Sequence, residues 1–192
     1  DAKFDQYNMN LLYNSTDAQI LLTSNEGWGL SLTEAILAGK PIIANVTGGM
    51  QDQMRFEFED GNWIDFDADF PSNHRGTYKK CGKWAFPVFP SSRTMVGSPP
   101  TPYIWDDTCR PEDAAEQIKT IYNLTSEERK AKGLTGREWA ISREAGFIGE
   151  IQGERVIEAF DTLFKTWKPR EKYELINTNK IKDRVIPHKL LY

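Results

Sequence analysis

Glu26 and Glu34, eight positions apart, are the residues whose type and spacing most directly suggest chemistry. Glu26 lies in a glycine-rich turn, Asn25-Glu26-Gly27-Trp28-Gly29, and Glu34 lies in the helical stretch Leu30 to Gly39 that follows. The two carboxylates therefore flank a helix N-terminus, and ionised carboxylates are strong hydrogen-bond acceptors. A second turn, Asn45-Val46-Thr47-Gly48-Gly49-Met50, carries paired glycines that let backbone amides approach a ligand closely. Such a Gly-Gly pair also serves as a tight strand-to-helix connection. Ligand binding at these two turns is the chemistry to expect.

Other polar constellations are weaker. Asp65, Asp67 and Asp69 alternate in a way that suggests either a calcium loop or an Asp-x-Asp diphosphate clamp. The calcium loop fails because Phe70 stands where glycine is needed and Gly76 where the closing glutamate belongs. An alternating polar strand edge is the preferred reading, and no metal site is expected. His74 has no partner at ligand spacing and reads as a solvated loop residue. Cys81 and Cys109 fit neither a metal framework nor a disulfide scaffold.

The elements that must position the two turns follow from pattern. Ala18-Gln19-Ile20-Leu21-Leu22-Thr23 and Pro41-Ile42-Ile43-Ala44 are short apolar runs bounded by turn residues, as buried parallel strands are. With the helix closing at Gly39, in position for a left-handed cap, the unit is strand, turn, helix, strand. In open parallel sheets such turns lie at the carboxyl edge, where ligands bind. A short amphipathic helix over residues 6 to 14 precedes it, with Met9, Leu12 and Tyr13 on one face. Residues 56 to 105 are rich in aromatics, glycine and proline without helical period, so short strands are expected, with a hairpin around Trp84 to Val96. Pro111 suits a helix first turn, and Thr125-Ser126-Glu127-Glu128 is a capping box opening a helix to about residue 142. A long apolar stripe from Phe147 to Trp167 reads as a core-facing helix that Pro169 stops.

Composition bounds the rest. At 192 residues with 39% hydrophobic and 12% aromatic residues, the chain can form a domain with a sizeable core. A net charge of -4 argues against nucleic acid as a partner. No apolar run approaches the roughly 18 residues of a membrane span, and no signal segment opens the sequence, so a cytoplasmic location is expected. Asn14, Asn45 and Asn123 head Asn-x-Ser/Thr triplets that read as chance, since a glycan could not fit at a buried strand end such as Asn45.

The stretch Glu26-Gly27-Trp28-Gly29-Leu30, Glu34-Ala35, Ala38-Gly39-Lys40-Pro41-Ile42-Ile43-Ala44, then Gly48-Gly49 closely resembles the E-x7-E motif of retaining GT-B glycosyltransferases. The family is the glycosyl transferases group 1 (family four). The resemblance is tight over residues 11 to 50 and weaker over 105 to 167. It implies an α/β fold, a Rossmann-like parallel sheet of GT-B type that is incomplete, with an aromatic-rich β-hairpin insertion at about 63–102 and C-terminal helices. Residues 1–168 would be part of a C-terminal nucleotide-sugar-binding domain, and 169–192 a tail.

The resemblance also implies roles. Glu26 would be catalytic and accept hydrogen bonds from the donor sugar, and Glu34 from the nucleotide ribose. Gly27, Trp28, Gly29, Leu30 and Ser31 would meet the donor sugar and diphosphate, chiefly through backbone amides, and Gly48 and Gly49 would form a ligand-facing turn. The reaction would be sugar transfer from a nucleotide-sugar donor to an acceptor (glycan, lipid or small molecule) with retained configuration, without metal or cofactor. The basic residues that clamp the diphosphate in this family lie on earlier strands, so the isolated chain is expected to be inactive. Alternatives are a non-catalytic nucleotide- or sugar-binding or assembly module, and a GT-B nucleotide-sugar epimerase. An incomplete sheet has an exposed edge, so a homodimer, or cover by residues 1 to 14 or the tail, is expected.

Overall fold

A computed structural model describes residues 5–64, 74 and 76–169. Helix α1 (Gln6–Asn14) leads into strand β1 (Gln19–Leu21), helix α2 (Leu30–Leu37) and strand β2 (Ile42–Asn45). Two single-turn 3-10 segments follow, Gly48–Met50 and Asp52–Met54. Then come strands β3 (Ala85–Val88), β4 (Ser92–Ser98) and β5 (Thr101–Thr108), and helices α3 (Pro111–Tyr122), α4 (Ser126–Ala140) and α5 (Gly149–Thr166). The aspartates 65, 67 and 69 lie outside the described residues.

The sheet is parallel, in the order β1-β2-β3, with Ile20 opposite Ile43 and Ile43 opposite Phe86. Every residue of the central strand β2 is buried, as the all-apolar run Ile42-Ile43-Ala44 requires. On one face, Leu32 and Ile36 of α2 meet Ile42, Met50, Met54 and Phe56. On the other, Ile43, Phe86 and Val88 pack with Ala114 and Ile121 of α3. Among the described residues nothing pairs with the outer edge of β1, where Ile20 is 42% exposed.

Helix α4 reaches the first core through two glycines. A Cβ on Gly133 would lie 1.9 Å from the Gly39 carbonyl oxygen, and one on Gly136 would lie 2.6 Å from the Trp84 ring. That closeness lets Trp139 stack on Trp84 at 4.8 Å and 26°. Capping of α4 by Thr125 and Glu128 is as the sequence predicts.

Three expectations need correction. Ala85-Phe86-Pro87-Val88 does not open a hairpin; it is the third parallel strand, and among the described residues its proline lies at the sheet's edge, where a missing N–H costs least. The antiparallel hairpin is β4–β5, with Arg93 opposite Asp107 and Met95 opposite Trp105. His74 is buried, not solvated, with its ring edge-on to Phe56 at 4.1 Å and to Tyr78 at 5.3 Å. Burial, and secondarily the charge of Lys79, lowers its pKa to about 4. Finally, the apolar stripe of α5 is exposed, with Ile157 63% and Phe164 78% accessible. Residues 154–169 fall in a unit separate from the one before them, in which Phe160 and Phe164 stack at 6.2 Å. Periodicity fixes which residues share a face, but burial needs a surface to meet it.

Candidate functional site

The two glycine turns meet at the carboxyl edge of the sheet. The Gly49 N–H donates to the Glu26 carbonyl at 3.3 Å. A Cβ on Gly48 would fall 2.1 Å from the Glu26 carbonyl oxygen, and one on Gly49 would fall 2.3 Å from that of Gly27. Only glycine permits this backbone approach, and Gly48 also has φ +50°. The first turn is thus not an independent loop: Glu26, Gly27, Gly48 and Gly49 are one backbone cluster.

Helix α2 starts from Gly29 in the left-handed region, at φ 82°, without a side-chain cap. The first amides of an α-helix have no partner within the helix and attract anions, so the segment from Trp28 to Ser31 has the polarity that a phosphate needs. Leu30, the first residue of α2, is 71% exposed. Gly27 has nothing within 4 Å of an added Cβ, so that flank of the turn is open.

A partly buried polar chain holds the turn. The Trp28 indole N–H donates to the Thr33 hydroxyl at 2.8 Å, which donates to Gln53 Oε1 at 2.8 Å. The Gln53 amide nitrogen returns to the carbonyls of Trp28, at 2.5 Å, and Gly29, at 3.3 Å. Trp84 donates to the Gln53 carbonyl at 3.1 Å, linking the turn to the core. Trp28 also meets Phe147 edge-on at 5.4 Å.

Glu34 lies on the exposed side of α2 and accepts a hydrogen bond from the Tyr13 hydroxyl at 2.6 Å. Burial, followed by that bond and the glutamate's charge, pushes the phenol pKa up to about 12, so Tyr13 remains a donor. A carboxylate offers about four acceptor positions, and Tyr13 uses one of them. Beyond the glutamates, Tyr13, Thr33 and Gln53 hydrogen-bond to α2 and the first turn, although the sequence did not single them out for it. Their signal was a polar group within short helical segments that otherwise face the core.

Among the described residues, no group of three His, Cys, Asp or Glu side chains could hold a metal ion. Cys81 and Cys109 are not bonded to each other, and burial raises both thiol pKa values, that of Cys81 to about 11. No described helix is long and apolar enough to cross a membrane. A cavity of about 610 Å³ lies away from the turns, between Asp17-to-Ile20 at the start of β1 and Ile121 and Tyr122 of α3.

Residues 3–69 match the family model described as Glycosyl transferases group 1. The match includes Glu26, Glu34 and both glycine turns. None of the curated proteins compared matches the chain.

Proposed function

We propose that this chain supplies part of the donor site of a glycosyltransferase, which moves a sugar from a nucleotide-sugar to an acceptor with retained configuration. The family matched over residues 3–69 is one of sugar transfer, and the roles of individual residues extend from it. Glu26 accepts hydrogen bonds from the donor sugar's hydroxyls and is the catalytic-site carboxylate. Glu34, held by Tyr13, accepts from the ribose hydroxyls. The amides from Trp28 to Ser31, with the Gly48-Gly49 turn beside them, receive the diphosphate. Fixed N–H dipoles at that position stabilise the charge that develops on the departing nucleoside diphosphate, so this reading calls for no metal.

The observation that carries the reading is the fused backbone cluster of the two turns at an uncapped helix N-terminus. Calorimetric titration with UDP, GDP and ADP tests it. At least one should bind, and Glu34→Ala should weaken that binding by about tenfold or more, as loss of a charged hydrogen bond does. Unchanged affinity in Glu34→Ala would refute the ribose assignment.

A further inference from the structure

Asp107 is a buried carboxylate for which the donor-site reading has no use. It stands in β5, 1% exposed, and contacts both strand ends from which the ligand turns spring. Its N–H donates to the carbonyl of Ser24, two residues before Glu26, at 2.8 Å. Its own carbonyl accepts from the Asn45 side-chain amide at 2.7 Å, and that amide also donates to the Thr23 carbonyl at 3.0 Å. Its Oδ2 accepts from the hydroxyl of Thr47, one residue before Gly48, at 3.0 Å.

The charge is balanced inside the hairpin. Arg93 Nε, directly across from Asp107 in the β4–β5 register, donates to Oδ1 at 3.0 Å. Two residues earlier on β5, the Trp105 carbonyl accepts from the Asn25 side-chain amide at 3.3 Å. A hairpin that merely filled space would need no buried ion, since burying a charge is costly unless it is paired and hydrogen-bonded. Here the carboxylate bonds Thr47 just beyond β2, while the main chain of the same residue bonds Ser24 beyond β1 and the Asn45 amide at the end of β2.

We infer that Asp107 is a positioning residue of the donor site: it sets the Glu26–Gly29 turn against the Gly48–Gly49 turn and makes the β4–β5 hairpin part of the site. The inference rests on the donor-site reading for its function, while the clamp itself is a matter of the two turns. It places hairpin residues within the determinants of nucleotide-sugar affinity, although they lie far along the chain from both turns.

The test uses Thr47→Val, which removes one hydroxyl with little change of shape, and Asp107→Asn, which removes the charge paired with Arg93. Thr47→Ser keeps the hydroxyl and serves as the conservative rescue. Amide NMR shifts of Gly27, Gly29, Gly48 and Gly49 should move in Thr47→Val and Asp107→Asn and return in Thr47→Ser. The dissociation constant of the tightest of UDP, GDP and ADP, measured well below the melting temperature, should rise about five- to twentyfold in the first two variants. Shifts confined to residues 45–47 and 105–109, with affinity within about twofold, would overturn the inference and leave Asp107 purely structural. If the unaltered chain binds none of the three nucleotides, the donor reading fails by itself, and the glycine amides still decide whether Asp107 positions the turns. Should Asp107→Asn not fold, Thr47→Val gives the decision.

Discussion

Replacing Gly49 by alanine strikes the backbone cluster directly. The new Cβ would stand 2.3 Å from the Gly27 carbonyl oxygen and 3.0 Å from both Trp28 Cα and an atom of its ring, where ordinary contact begins at 3.4 Å. The turns must separate by about 1 Å, and overpacking of this kind costs about 1–3 kcal/mol. The Gly49 N–H to Glu26 bond, already 3.3 Å long, would be lost with the separation, at about 1 kcal/mol. A total of about 2–4 kcal/mol corresponds to a fall in melting temperature of roughly 5–15 °C for a chain of this size. Thermal unfolding followed by circular dichroism reads the shift, and nucleotide titration at low temperature reads the accompanying loss of affinity. Gly27→Ala is the internal control: with nothing within 4 Å of its Cβ, it should stay within about 0.5 kcal/mol of the parent. A Gly49→Ala protein melting within about 1 °C of the parent, or a Gly27→Ala protein losing as much as Gly49→Ala, would refute the packing argument.

Two further outcomes are expected. Tyr13→Phe leaves Glu34 without its hydroxyl donor, which should cost about 1–2 kcal/mol in a thermal melt and weaken nucleotide binding. Because the folded pKa of Tyr13 is raised from 10.0 to about 12, the unfolded chain loses that proton first, and stability should fall as pH rises from about 10 through about 12. Tyr13→Phe should flatten that part of the curve. His74 behaves in the opposite sense: its folded pKa is lowered from 6.5 to about 4, so the unfolded chain takes up the proton first. Its contribution is intact above about pH 6.5 and should be lost as pH falls from there through about 4, with His74→Gln reducing the acid slope of the melting temperature.

Local rules made much of the chain legible. The helix beginning at Leu30, the left-handed Gly39 at φ 73° and the Thr125–Glu128 box each depend on residues within a few positions. So does the strand pair around the first turn, because a short apolar run needs only its own composition to declare itself. What stayed hidden depends on partners far along the chain. Ala85-Phe86-Pro87-Val88 is apolar in either a hairpin or a parallel edge, and only its register with Ile42–Asn45 separates the two. His74 reads as polar until Phe56, Tyr78 and Phe89 close around it. Asp107 looks like any acidic residue ending an aromatic strand until Ser24, Asn45 and Thr47, all distant in sequence, receive it. The two glycine turns were visible in the sequence, whereas the groups that hold them were not, since polar networks between distant residues leave no period in a sequence.

Helix α4 has a consequence for how the domain comes together. Gly133 and Gly136 each weaken a helix interior by about 1 kcal/mol relative to alanine, and alanine is barred from both by the Gly39 carbonyl and the Trp84 ring. The segment is therefore a poor helix in isolation and a good one only when docked. Its amides should exchange with solvent as a group, at the free energy of undocking from Trp84, in place of fraying progressively from the ends. Hydrogen exchange along α4 would thus register whether Trp84 is in place, and through the Trp84–Gln53–Trp28 chain it would report from a distance on the order of the first glycine turn.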